Sequence, residues 1–216
     1  MKKESIPFVE DLVYDEIFVH NVYNLSINDI SNRGVLDLGG HYGLFALLCT
    51  QLNAKQVVSV EPNHHNLYKY RENTKHTNVK VICAAISSKK DSLVTINNEA
   101  GASRTGFGTQ LVSTISLETL MSLFDSSLDL TLKIDIEGSE YDVFYNNSPD
   151  LIKRFSTIVM EAHNYNPIEK GNEAEQLRQY LINLGYDDRI NGQFWAGDFI
   201  KQYNMAPAYS YKFTKK

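Results

Sequence analysis

Short apolar runs alternating with helical patterns predict an α/β protein: a mostly parallel sheet with helices on both faces. Three observations carry this expectation. Residues 35–38, 57–60, 79–86, 130–136 and 156–160 are runs rich in Val, Ile and Leu, as expected of strands buried on both faces. The first run breaks at Gly39-Gly40-His41-Tyr42-Gly43 and restarts at once as a helical pattern of Leu44, Phe45, Leu47, Leu48 and Leu52. Acidic residues gather where the runs end: Asp37, Glu61, Asp135 with Glu137, and Glu161 beside His163. In an open α/β sheet, ligands bind outside those carboxyl ends.

Taken in order, residues 1–33 form a helical lead-in. Ile17, Phe18, Asn21, Val22 and Leu25 recur at helical spacing after Asp15, which is expected to cap the helix. This helix either covers the site or simply packs on the sheet. The turn at 39–43 aims free N–H groups and a positive helix end into the crevice, and its glycines let a ligand approach the backbone. The second run ends in Glu61-Pro62-Asn63, with Pro62 expected in the first turn of the next helix. Glu61 lies about 20 residues beyond Gly39, the spacing of the carboxylate that accepts hydrogen bonds from a nucleotide's ribose. Ala84 and Ala85, near the end of the third strand, are small enough for a flat ring to lie against them.

Residues 93–96 could form a further short strand, and 101–108 a glycine-rich loop carrying Arg104. That loop is either a lid or an ordinary surface loop. A strand at 111–116, a helix at 117–124 and a helix at 141–145 follow, then an amphipathic helix at 169–184 stopped by Gly185. The aromatic tail (Phe194, Trp195, Phe199 and residues 209–213) suits a closing antiparallel edge. His64 and His65 fall on the helix after Glu61, where at least one belongs to a solvated face. No repeat, low-complexity segment or linker interrupts the chain, which is expected to be one domain over residues 1–216.

With 43% hydrophobic and 22% charged residues the chain has the composition of a globular domain, and its net charge of −5 disfavours nucleic acid as a partner. No run reaches membrane-spanning length and no signal-type segment opens the chain, so a cytoplasmic protein without membrane contact is expected. Cys49 and Cys83 sit in apolar patterns, as buried free thiols would.

Four motifs occur together: Asp37-Leu-Gly39-Gly40-His-Tyr-Gly43, Val60-Glu61-Pro62-Asn63, Ile115-Ser-Leu117-Glu118 and Lys133-Ile-Asp135-Ile-Glu137-Gly138-Ser-Glu140. In that order they resemble the FkbM-type S-adenosylmethionine (AdoMet) methyltransferases, and the last string is the specific one. The resemblance implies a Rossmann-like class I methyltransferase fold, seven strands in the order 3-2-1-4-5-7-6. It implies O-methylation of a hydroxyl, commonly on a sugar, glycan or secondary metabolite. AdoMet would meet Asp37, Gly39, Gly40, His41, Tyr42, Gly43, Glu61, Pro62, Asn63, Ala84, Ala85 and Asp135. His41 departs from the family, which usually has Asn or a small residue there, and could change how the methionine end is held. Ser116 and Glu118, where Thr and Asp are common, look conservative.

Arg104 and Glu137 are expected to meet a small-molecule or glycan acceptor. His163, Asp135 and Glu161 are the catalytic candidates: His163 first as general base, oriented by a carboxylate, with Asp135 second. Alternatively these three could hold Mg²⁺ or Mn²⁺. The metal-free base is preferred, because AdoMet brings its own positive charge. Glu137 and Glu140 could instead simply favour a helix start. A nicotinamide-dependent oxidoreductase on the same half-fold lacks the GxGxxG spacing. A non-catalytic binding module would have no need of the strand-end carboxylates.

Overall fold

Residues 2–88, 92–97, 108–163, 173–190, 193–194 and 208–216 are described by a computed structural model. After a 3₁₀ turn at Lys3–Ser5, α1 (Asp11–Tyr14) runs directly into a π-helical turn (Asp15–His20) that Asn21 closes at a φ of 48°. The expected helix therefore starts earlier and stops sooner. Glu10 precedes it, Asp15 lies inside it, and Val22 and Leu25 are buried beyond its end. Next comes α2 (Ile27–Ile30), where the Ser26 N–H and Oγ both donate to Asp29 Oδ2, at 2.7 and 2.6 Å.

Two parallel crossovers follow: β1 (Gly34–Leu38), α3 (Leu44–Gln51), β2 (Gln56–Val60), α4 (His64–Thr74) and β3 (Lys80–Ile82). Asn63 caps α4, its Oδ1 accepting the His65 N–H at 2.9 Å, so Pro62 precedes the cap instead of opening the first turn. The third predicted strand is split. Its first part pairs with β2, while β4 (Ala85–Ile86) leaves to pair with Thr114 and Ile115. With β5 (Leu93–Ile96) and β6 (Gln110–Ile115) it forms a second, three-stranded sheet.

The chain then returns through α5 (Leu117–Met121), β7 (Leu130–Ile134), α6 (Glu140–Tyr145), α7 (Pro149–Ile152) and β8 (Phe155–His163). The described part closes with α8 (Glu173–Asn183), β9 (Tyr186–Asp188), β10 (Gln193–Phe194) and β11 (Ala208–Lys215). The main sheet runs β3-β2-β1-β7-β8-β11, and β11 is antiparallel to β8. This is the expected class I order. The outermost place is shared by β9 and β10, both paired to β11, so eight strands are hydrogen-bonded in all. Trp195, Phe199 and Arg104 lie outside the described residues.

Period-two alternation explains the layers. Val35 packs with Ile17, Phe45 and Val159 on one face. Its neighbour Leu36 packs with Leu120, Phe144 and Leu177 on the other. Cys49 is buried as expected, but Cys83, at the break between β3 and β4, is half-buried. Among the described residues no helix is long and apolar enough to cross a membrane.

One polar tie crosses the chain. Lys212 Nζ on β11 donates to the Asn24 carbonyl and to Asp29 Oδ2, each at 2.8 Å, and both charged side chains are buried. Burial works against the Asp29 charge, but Lys212 and Ser26 outweigh it and hold the carboxyl below its ordinary range. Removing one member of such a pair strands the other charge. Lys212→Met should therefore lower unfolding free energy by about 3 kcal/mol, measured by urea denaturation. A loss under about 1 kcal/mol would make the tie equivalent to a surface ion pair.

Candidate active site

The carboxyl ends of β1, β2, β7 and β8 open onto a cavity of about 200 Å³. Gly39, Gly40, His41, Glu61, Pro62, Ala84 and Ala85 form one wall; Asp135, Glu137, Glu161 and His163 form another. The lead-in closes the third side with Glu10, Glu16 and Tyr23.

The strand register brings Asp37, Ser59 and Lys133 into one row across β1, β2 and β7, and parallel partners in register share a face. Asp37 is fully buried, accepts the Ser59 hydroxyl at 2.8 Å and lies 3.4 Å from Lys133 Nζ. It is not among the cavity-lining residues; it lies beneath the site and anchors Lys133. Lys133 Nζ donates to the Gly39 carbonyl at 2.6 Å and lies 3.7 Å from Asp135 Oδ2. Burial opposes its charge, but Asp37 and Asp135 prevail and its pKa is raised. Gly39 has a φ of +88°, and a Cβ there would overlap the Asp135 carbonyl oxygen. Its glycine is thus required by the packing of β1's end against that of β7, not only by the approach of a ligand.

Glu61 organises the turn. Its Oε2 accepts the His41 N–H at 2.7 Å, and Oε1 accepts the Asn63 N–H at 2.8 Å and Asn66 Nδ2 at 3.4 Å. Burial raises its pKa to about 7 against the pull of these bonds. His41 lies in the left-handed region, φ 48°, with its ring stacked 3.9 Å from that of Tyr42. Burial, then Lys133, lowers its pKa to about 4, so the ring is neutral. Its Nδ1 is buried without a hydrogen-bond partner among the described residues. Tyr42 instead meets Lys69 at 2.6 Å through its hydroxyl, Gly43 precedes α3, and Asn63 is the buried cap of α4. These three support the turn from outside the cavity lining.

At the opposite end, His163 is buried with Nδ1 3.2 Å from Glu140 Oε1. Its Nε2 lies 3.8 Å from Glu137, 3.9 Å from Glu161 and 4.0 Å from Asp135. Burial disfavours the imidazolium, but Glu140 and then Asp135 and Glu161 overcome it and raise the pKa to about 10. The expectation that His163 is the general base is corrected on this ground, since a ring that keeps its proton at neutral pH cannot accept another. Burial and then Asp135 raise Glu161 to about 8, so it becomes a free carboxylate only as pH rises through that value.

Glu140 was expected at most to favour a helix start. It is fully buried and accepts the Ile136 and Gly138 N–H groups, each at 2.9 Å, besides facing His163. The left-handed φ values of Glu137 (57°) and Gly138 (99°) fold that loop around it. Asp135, Glu140 and His163 also present ligand atoms within 4.8 Å of one another, a set that differs from the expected metal trio in having Glu140 for Glu161. Glu16 and Tyr23 went unrecognised in the sequence, where they read as ordinary helix positions. The Tyr23 hydroxyl donates to Asp135 Oδ2 at 3.5 Å. Glu16 is raised to about 7 by burial, with Asp135 and Glu10 adding to it.

A family model described as the methyltransferase FkbM domain matches residues 37–187. Among solved structures the chain is similar to a precorrin-6y C5,15-methyltransferase from Geobacter metallireducens GS-15, at 17% identity and a TM-score of 0.56, covering 100% of this chain and 97% of that one. It is similar to a methyltransferase FkbM from Methylobacillus flagellatus KT, at 14% identity and a TM-score of 0.56, over 92% of this chain and 47% of that one. The chain thus spans about half the length of that protein. TrmK of M. capricolum, in complex with S-adenosyl-homocysteine, matches at 13% identity and a TM-score of 0.53, over 92% and 68% of the two chains. No curated protein matches.

The His163 environment can be read directly. By NMR its ring should remain an imidazolium from neutral pH to above pH 9, and Glu140→Gln should lower the transition markedly. Because the folded pKa of about 10 exceeds the ordinary 6.5, the stabilisation is complete below pH 6.5 and is lost as pH rises toward 10. A ring that titrates near its ordinary value would reinstate His163 as a base.

Proposed function

The chain belongs to the FkbM family of AdoMet-dependent methyltransferases, and on that premise we propose that it methylates a hydroxyl of a sugar or glycan. The observation that carries the proposal is the division of the cavity. Glu61 and the glycine turn stand at one end; Glu161, Asp135 and His163 stand at the other, where a hydroxyl can lose a proton.

The residues present fit AdoMet. The buried Nδ1 of His41 faces no protein partner among the described residues and is available to the methionine end. Glu61 Oε2 holds one backbone N–H and has capacity for a ribose hydroxyl. Ala84 and Ala85 give a small apolar wall for the adenine. When bound, AdoMet supplies a methyl group already activated by its sulfonium. What remains for the chain is alignment, exclusion of water and removal of a proton.

In this reading the ionised form of Glu161, more abundant as pH rises toward 8 and beyond, accepts the hydroxyl proton, worth about 10²–10⁴-fold in rate. The His163 imidazolium lies between Glu137, Glu161 and Asp135 and moderates their mutual repulsion. No divalent ion is required. A small-molecule or glycan acceptor, met in the cytoplasm and not on nucleic acid or a membrane, belongs to the same proposal, supported by the net charge of −5. Arg104, proposed from the sequence to bind the acceptor, lies outside the described residues.

Two measurements test this reading. With labelled AdoMet and a panel of sugars and glycans, Glu161→Gln should reduce kcat about a hundredfold or more. EDTA should leave wild-type turnover unchanged. Activity that disappears on chelation and returns with Mg²⁺ or Mn²⁺ would make these carboxylates metal ligands instead. Separately, Glu61→Gln should weaken AdoMet about tenfold by calorimetry, since bonds to a charged acceptor contribute about 1.5–3 kcal/mol. A change under twofold in a folded variant would reduce Glu61 to a cap for the turn.

A further inference from the structure

The lead-in lies before the stretch matched by the family model, yet it supplies one wall of the cavity. Its helix widens there into a π-helical turn at Asp15–His20, a form that recurs at functional sites. Both Glu16 and its buried neighbour Ile17 line the cavity, and Glu16 brings the carboxylate.

The cations nearby are already engaged. Lys133 Nζ is held by the Gly39 carbonyl at 2.6 Å and by Asp37 and Asp135. His163 stands among Glu140, Glu137, Glu161 and Asp135. His41, 3.3 Å from Glu10, is neutral near pH 7. Among the described residues no Lys, Arg or His lies within ion-pair distance of the Glu16 carboxylate; burial, Asp135 and Glu10 oppose its charge, and Lys133 offsets them only in part. Grouped carboxylates repel one another unless a bound cation offsets them. AdoMet carries one net positive charge, and a further cation beside Glu16 would hold in its charged form a carboxylate that burial and its neighbours push toward neutrality.

Resting on the proposed hydroxyl methylation, we infer that Glu16 is a specificity-determining residue for an acceptor bearing a protonated amine, an amino sugar or related amino alcohol. The same contact would protect the nitrogen. An ammonium has no lone pair with which to take a methyl group, so the neighbouring hydroxyl, deprotonated by Glu161, is the atom that reacts. Its oxygen forms the new C–O bond as the methyl–sulfur bond breaks, and the proton passes to Glu161.

The test uses the full chain saturated with S-adenosyl-homocysteine, titrated with glucosamine or N-acetylglucosamine and followed by ligand-observed NMR. The two probes differ at a single nitrogen that is charged in one and neutral in the other. Glucosamine should bind at least about fivefold more tightly, and Glu16→Gln should bring the two within about twofold. Circular dichroism and an unchanged AdoMet affinity confirm that the variant keeps its fold and its cofactor site. Equal binding of the two sugars, no binding of glucosamine, or a preference that survives in Glu16→Gln overturns the inference. So does a loss of AdoMet affinity in the variant, which would assign Glu16 to the cofactor's own amine. Binding of Mg²⁺ that Glu16→Gln abolishes overturns it too, by making Glu16 a metal ligand. Methylation of neutral sugars with no amine preference removes this inference alone, whereas N-methylated product or no transfer to any hydroxyl removes the reading on which it rests.

Discussion

The buried ammonium of Lys133 is the contact on which the rest of the site depends. It stands in the middle of the sheet, in register with Asp37, and donates to the carbonyl of Gly39 just beyond β1. An unpaired lysine at that depth would be costly, so the Asp37 carboxylate and the Ser59 hydroxyl behind it are needed for Lys133 to stay charged. In turn Lys133 fixes where the glycine turn leaves β1 and draws Asp135 toward the cavity. The two walls of the cavity therefore share one anchor. Asp37, which looked from the sequence like a ligand-binding carboxylate, serves the site from beneath.

The second organising element is the His163–Glu140 pair. Glu140 is held by two backbone N–H groups at the start of α6, and it faces His163 from β8. β8 extends past its neighbour β7, pairing onward with β11 through Glu161, Ala162 and His163. The overhang is what carries these side chains out over the cavity. Holding a proton on His163 lets several carboxylates stand close together, while burial and Asp135 still raise Glu161 to about 8.

Much of this was legible in the sequence, for physical reasons. Strands buried on both faces must be continuously apolar, so β1, β2, β7 and β8 stood out, and a parallel sheet sets its polar residues at their ends. What was not legible depended on tertiary contacts. Residues 79–86 are uniformly apolar enough for one strand, and nothing local signals that Ala85 and Ile86 pair with a different sheet. The π-helical turn carries no distinctive periodicity over six residues, so nothing in the sequence set Glu16 apart from the other polar residues of the lead-in. His163 had the right neighbours in sequence for a base. Its proton affinity is set by Glu140, a residue on another element whose side chain folds back under the loop.

The tie between Lys212 and Asp29 joins residues 183 positions apart. Asp29 is translated before Lys212, so α2 cannot be fastened to β11 until the strands between them have been made. By that time β1, β2, β7 and β8 have all been synthesised, and the sheet can assemble with its crevice open toward solvent. The tie therefore fastens α2, just beyond the segment proposed here to choose the acceptor, only after the strands that carry the cavity have been made.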